Sequence, residues 1–501
     1  MLASTFYRVV YPILPYFHWP TFSARVRARH YERDRAFFAF VMAVCAITSA
    51  RMRDGVGTPL PPDAPPSEAF FDASLSAFPA DLTVATDFDY KRAKAILAIL
   101  SLQYGQVRQL SVHLGDYLTM CAADGFHNEN RWPPNLPVTE IEERRRVFWG
   151  VYSIDVYAAC TWGGIVRHRE TQANVLYPAE VWDDSEITET GIAKPAGVSF
   201  LRGWNFTNDL YRILEHALGL LRQRKLEPTD SQVNRRLFSL TRLNSSFPSS
   251  KEVLDTIQED YNQLPMEFKG AQAMTGNVYE DRFGFQAADI IVTMQTVKMV
   301  MTGLEDASVE KRCAIAGELL DALSTVPTAY IQAISSPILH HLAGVGHLLG
   351  SVIQTPLSHW TYLQVRNVLL AMADLLSSLE STMSFTPGIA EKLRDHVKRI
   401  DQYMTAAAVD RSRRAQVWHT ALPPSAWQYP NTPGVGSGGD SSVRTTEEPQ
   451  KQEEQIIPGN LFDLPLDLLT TDWPLDMRDA FDFLGPAPAV NHTGVQGPGA
   501  Q

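Results

Sequence analysis

A chain of 501 residues, 45% apolar and 20% charged, can bury a large core without disulfide or metal staples. That composition excludes wholesale disorder, a collagen-like repeat and a simple coiled coil. Net charge is −12, and the 3 basic and 11 acidic residues from Pro430 onward supply −8 of it, so no compact basic domain offsets the repulsion of phosphate and autonomous sequence-specific DNA binding is disfavoured.

The first signal along the chain is Tyr11-Pro12-Ile13-Leu14-Pro15-Tyr16-Phe17-His18-Trp19-Pro20-Thr21-Phe22, a strongly apolar run broken by three prolines. The densest basic cluster follows: Arg25, Arg27, Arg29, Arg33 and Arg35. Glu32 and Asp34 interrupt it and a helix spreads those arginines around its surface, so a solvated face is expected. Ala36 to Ala50 is the longest apolar stretch. It falls short of the roughly 20 residues that span a bilayer, and a buried helix is expected, with no membrane contact. No charged leader followed by an apolar run and a small-residue cleavage site opens the sequence, which makes a soluble intracellular protein the expectation. Asp54 to Ser67, rich in Pro and Gly, predicts a loop.

From Val107 the positions Leu110, Leu114, Leu118 and Cys121 recur every three or four residues up to Gly125, which suits the left-handed residue after a helix. Next comes Glu140-Ile141-Glu142-Glu143-Arg144-Arg145-Arg146-Val147-Phe148-Trp149-Gly150-Val151-Tyr152-Ser153-Ile154-Asp155. It is apolar nearly all round after its arginines, predicting a central helix with Glu142 and Glu143 at its positive N-terminal end. Asp155 inside such a helix needs a partner, expected to be an arginine from the Arg144 to Arg146 run or from a facing helix. A catalytic Asp155 is the rival reading, with no local nucleophile or histidine beside it. Asp183 to Gly197, polar with Gly191 and Pro195, predicts a loop. Helical stripes return at Val365, Val368, Leu369, Met372, Leu375, Leu376 and Leu379, and at Leu393, Val397, Ile400 and Met404. With no alternation of strands and helices, these stripes bury against one another in an all-α, multi-helix domain.

Motifs that carry chemistry are few. Gly344 to Gly350 resembles a dinucleotide loop, but its last spacing is one residue too long and no strand or acidic residue supports it. His340, His341 and His347 lack a Cys or carboxylate beside them to complete a metal site and read as satisfied histidines. Cys45, Cys121, Cys160 and Cys313 have no paired spacing and read as reduced core thiols. There is no Gly-x-Ser-x-Gly elbow, phosphate loop or His-Glu-x-x-His, so no catalytic or metal residue is nominated and no enzyme is expected.

From Pro423 the chain turns Pro-, Gly- and Glu-rich, a composition that cannot bury enough surface to fold. We place the globular domain at 1–422, a disordered linker at 423–459 and a disordered acidic tail beyond, ending with 486–501. Within 460–485, Leu461, Phe462, Trp473, Phe481, Phe483 and Leu484 interleave with six aspartates, the acidic-hydrophobic alternation of an activation segment that folds onto a partner groove. The alternative is a helix that docks back on its own domain across the linker.

The Tyr11 to Phe22 segment resembles the Pro-rich, His-Pro-Thr-Phe opening of the regulatory (middle homology) domain of fungal zinc-cluster transcription factors. The Glu140 to Asp155 helix is similar to the family's acidic, triple-arginine, Phe-Trp and Asp helix, and follows Asp124-Gly125-Phe126-His127 at a family-like distance. The signature residues are Pro12, Pro15, His18, Pro20, Phe22, Arg144, Arg145, Arg146, Trp149 and Asp155, and the resemblance runs to about residue 410. It implies a nuclear regulator of RNA polymerase II transcription, with shuttling through the cytoplasm open. Coactivators, a small-molecule inducer and a homo- or heterodimeric family member are the implied partners. Gly163-Gly164-Ile165 stands where members commonly have a Gly-Arg-Pro turn, which puts that arginine's role in doubt. The family's six-cysteine zinc cluster does not precede this domain after Met1. The chain is therefore expected to hold no cofactor itself and to meet DNA only with a zinc cluster supplied upstream or in trans. Two readings stay open beside this one. One is a helical small-molecule-binding protein or enzyme, which a buried pocket with convergent polar groups would favour. The other is a scaffold or inhibitor of a complete family member.

Overall fold

The computed structural model describes residues 1–162, 164–225, 248–305, 307–350, 358–381 and 388–421. Among them the regular structure is helical, and β pairing is confined to two isolated bridges, Asn128 with Asn174 and Ile187 with Ile192. The all-α class is the observed one. The linker at 423–459, the 460–485 segment with Leu461, Phe462, Trp473, Phe481, Phe483 and Leu484, and the 486–501 tail lie outside the described residues.

The N-terminal helices are α1 (Leu2–Thr5), α2 (Trp19–Arg27), α3 (Arg35–Arg53), α4 (Ser67–Ser76), α5 (Phe88–Gln103), α6 (Val107–Ala123), α7 (Val138–Trp162) and α8 (Leu201–Lys225). Local chemistry starts and stops them. The Asp34 carboxylate accepts the Phe37 N–H at 3.0 Å to cap α3, Asp87 does the same for α5 through Asp89, and Gly125 at φ 65° ends α6. The Pro/Gly stretch after Asp54 is the loop between α3 and α4. Helix α3 is long and apolar enough to cross a membrane, but most of it is buried, packed between α4 and α5.

Helix α5 is the centre of this half, and the periodicity of the sequence does not single it out. All sixteen of its residues are buried, including Lys91, Arg92 and Lys94. Each cation meets a carboxylate: Lys91 meets Asp124 at 2.5 Å, Lys94 meets Asp116 at 2.8 Å, and Arg92 meets Asp89 at 2.7 Å and Glu143 at 3.1 Å. Pairing of this kind offsets the high cost of burying a charge.

The later helices are α9 (Ser250–Gln263), α10 (Val278–Leu304), α11 (Val309–Thr325), α12 (Thr328–Ile334), α13 (Ser336–Gly350), α14 (His359–Glu380) and α15 (Ile389–Ala421). Helix α10 packs on α8 and also meets α11, α12 and α13, while α13 reaches back to α5 and α7. Residues 1–397 belong to one unit. A second begins at Lys398, and its described part is the last stretch of α15.

Candidate functional site

The proline-broken entry segment is pinned to the core at both ends. Residues Phe6–Val10 form one π-helical turn; beyond it Pro12 and Pro15 are buried, and Gln286 donates to the Pro12 carbonyl at 2.6 Å. The Phe17 ring lies 4.4 Å from Phe22 and 5.1 Å from Phe40. His18 caps α2, with Pro20 in the first turn, where a missing N–H costs nothing. The His18 N–H donates to Glu143 at 2.7 Å, and its Nε2 lies 2.7 Å from the Asp184 carbonyl.

Successive positions on a helix point about 100° apart, so the three arginines of α7 reach three different places. Arg144 pairs with Glu140 at 2.7 Å and lies 5.0 Å from the Phe88 ring centre. Arg145 holds both oxygens of Glu129 at 2.8 Å and also meets Glu142 at 2.8 Å. Arg146, fully buried, meets Asp184 at 2.9 Å and donates to the Tyr11 hydroxyl at 3.0 Å. Asp184 in turn accepts from Tyr11 and, at 2.8 Å, from the Trp19 N–H. Burial pushes the Asp184 carboxyl upward, but Arg146, the Trp19 N–H and Tyr11 outweigh it and hold it below the ordinary range. The stretch expected to be a loop from Asp183 thus carries a short 3₁₀ turn, Asp184–Glu186, whose first residue is the hub of the clasp. Beside it, Arg282 of α10 donates to Tyr7 and lies 3.7 Å from Asp183.

Trp149 packs 4.4 Å from Tyr177 and donates to the Leu176 carbonyl at 3.0 Å. Asp155 is buried, but its partner is not the expected one. It accepts the backbone N–H groups of Arg167 at 2.6 Å and His168 at 2.8 Å, and the nearest guanidinium, that of Arg167, stands 3.8 Å away. The arginines of α7 are spent on Glu140, Glu129, Glu142 and Asp184. The chain after α7 returns alongside Asp155, whose carboxylate closes that return.

The same entry segment lines a cavity of about 110 Å³. Ile13, Leu14, Ile99, Ile154, Val292 and Ile338 give it an apolar wall. Several polar lining groups are satisfied. Ser153 donates to Asn208 at 2.6 Å, Tyr157 donates to the Pro337 carbonyl at 3.1 Å, and His341 lies 3.0 Å from Thr296 and 3.3 Å from Tyr211. Burial lowers His341 to about 3, which leaves it neutral. Others are not satisfied. The Tyr16 hydroxyl, the Thr207 hydroxyl, and Nε and Nη1 of Arg51 find no hydrogen-bond partner although all three side chains are buried. The Asp289 carboxyl, on the same wall, is drawn up to about 7 by burial with no cation to bring it down. Sequence reasoning missed Arg51 and Asp289. The signal for the second was a lone acid in Ala287-Ala288-Asp289-Ile290-Ile291-Val292.

This lining suits binding more than bond chemistry, since Ser153 donates to an amide rather than to a base. The dinucleotide-like glycines lie inside α13 instead of in a loop, and His340 and His341 sit on the same helix. Among the described residues no group of three or more metal-ligating side chains gathers. The four cysteines stand on α3, α6, α7 and α11, their thiols raised by burial to about 11 or 12, so they do not fit a zinc cluster. The basic cluster is divided: Arg25 is drawn to Asp34 at 3.0 Å and Asp89 at 2.8 Å, while Arg27, Arg29, Arg33 and Arg35 are exposed.

A family model described as the fungal specific transcription factor domain matches residues 3–264. Comparison with curated proteins and with solved structures returns no match. The matched span contains the clasp from Tyr11 to Asp184 and stops before Arg282, Gln286 and Asp289.

Proposed function

Because the chain belongs to the fungal specific transcription factor domain family, and so has a regulatory role in transcription, we propose that it acts in the nucleus on RNA polymerase II genes as a ligand-responsive regulator. The family is a transcription factor domain family and not an enzyme family. The observation that supports the finer reading is the cavity, lined by Ile13, Leu14 and Tyr16 of the entry segment and by the Asp289 carboxyl, which no hydrogen bond or ion pair reaches among the described residues. In this reading a small inducer fills the cavity and biases the packing of the entry segment, and the 460–485 segment recruits coactivators. DNA is reached through a zinc-cluster module supplied upstream or by a family partner.

The test is a reporter driven by the whole chain fused to an unrelated DNA-binding module. Burying an aromatic ring in a coactivator groove contributes about 1.5 to 3 kcal/mol, against about 0 to 1 for one exposed charge. Joint replacement of Trp473, Phe481 and Phe483 by Ala should therefore abolish activation, and Asp472→Asn should reduce it only slightly. A silent fusion, or a fully active triple variant, would remove the activation reading.

A further inference from the structure

Two ionisable groups line the cavity, Arg51 and Asp289, and they are not equivalent. Arg51 is buried and lowered to about 10 by that burial, but Asp54, three residues on, counters the effect and answers its charge. Asp289 has no such neighbour. Among the described residues no hydrogen bond or ion pair reaches its carboxylate, and burial is what raises it. It keeps some accessible surface and is one of the residues that line the cavity. The other titratable groups on the wall, Tyr16, Tyr157, Tyr211 and His341, are held neutral by burial. Once Asp289 ionises, above about pH 7, its negative charge is left without compensation in a largely apolar cavity, a costly arrangement that a ligand can relieve.

We propose that the cavity binds a small organic ammonium ion, with its N–H groups on the Asp289 carboxylate and a compact alkyl body against Ile154, Val292 and Ile338. Size sets the class. An apolar cavity of about 150 Å³ accepts benzene, so 110 Å³ suits a ligand of about five non-hydrogen atoms. This inference rests on the reading of the domain as ligand-responsive, and the two fail separately, because calorimetry reads binding to the cavity whereas the reporter reads activation by the 460–485 segment.

The experiment uses the full chain at pH 8, where Asp289 is ionised, with isobutylamine as probe and isobutanol as its neutral counterpart, followed by calorimetry. Isobutylamine should bind with a Kd of about 1 mM or tighter, and at least about tenfold more tightly than isobutanol. Asp289→Asn should remove that preference and leave isobutanol unaffected. Equal binding of the two probes, or an unchanged preference in the variant, overturns the proposal. A wild-type measurement covers the case of a variant that does not fold: in methyl-labelled protein, isobutylamine should shift the Ile154, Val292 and Ile338 methyl resonances. Shifts elsewhere, or none, overturn the proposal equally.

Discussion

At the scale of single residues, Asp289 couples the cavity to pH. Its carboxyl keeps its proton in the folded chain up to about 7, whereas in the unfolded chain it releases the proton near the ordinary carboxylate value. Stability from this group therefore falls as pH rises from that value to about 7. Three buried histidines act in the opposite direction. His113, His168 and His341 are lowered by burial to about 4, 3 and 3, so the unfolded chain takes up protons first and stability falls as pH drops below the ordinary imidazole value. The two effects overlap in the wild type, and the comparison with Asp289→Asn separates them. The stability of the variant relative to wild type should rise by about 2–3 kcal/mol between pH 5 and pH 8. Urea unfolding at both pH values measures it, and a pH-independent difference would show that Asp289 ionises freely in the folded chain.

At the scale of elements, α7 depends on Gly150. A Cβ there would lie 2.2 Å from the Tyr16 ring, so the entry segment sits flush against the helix only because position 150 has no side chain. Gly150→Ala should destabilise by about 1–3 kcal/mol in spite of its better helix propensity. The same substitution at Gly317 of α11, where an added Cβ meets nothing within 4 Å, should stabilise by about 0.4–1 kcal/mol. Thermal midpoints moving in the same direction for both would refute the argument. These helices also divide what periodicity reveals from what it hides. The stripes of α6 and α14, and the apolar girth of α7, are visible because each is a one-helix pattern. Helix α5 was not legible, because Lys91, Arg92 and Lys94 look like a solvated face until Asp124, Glu143 and Asp116 arrive from the turn after α6, from α7 and from α6. His18 and Arg146 of the clasp could be named from sequence, but Asp184, where Arg146 ends, lay in a polar stretch with no pattern, and Asp155 found backbone amides that no side-chain motif encodes.

At the scale of the molecule, the family-matched region and the folded unit do not coincide. The match ends at residue 264, yet Gln286 and Arg282 hold the entry segment, and Asp289, Val292, Ile338 and His341 complete the cavity. A fragment of residues 1–264 should therefore lack cooperative thermal unfolding, while the full chain shows it. Near-UV circular dichroism checks this, and a native-like, cooperatively melting fragment would mean that α10 is dispensable to the clasp.

The bond from Gln286 to the Pro12 carbonyl joins residues 274 apart. On a ribosome adding about 5–20 residues per second, the start of the chain waits tens of seconds for that partner to be made. Throughout the wait Phe6, Tyr11 and Phe17, all buried in the finished protein, can pack only on residues already made, such as Phe22 and Phe40. The entry segment thus emerges long before its anchor on α10, so its packing should be completed only after Gln286 has been made.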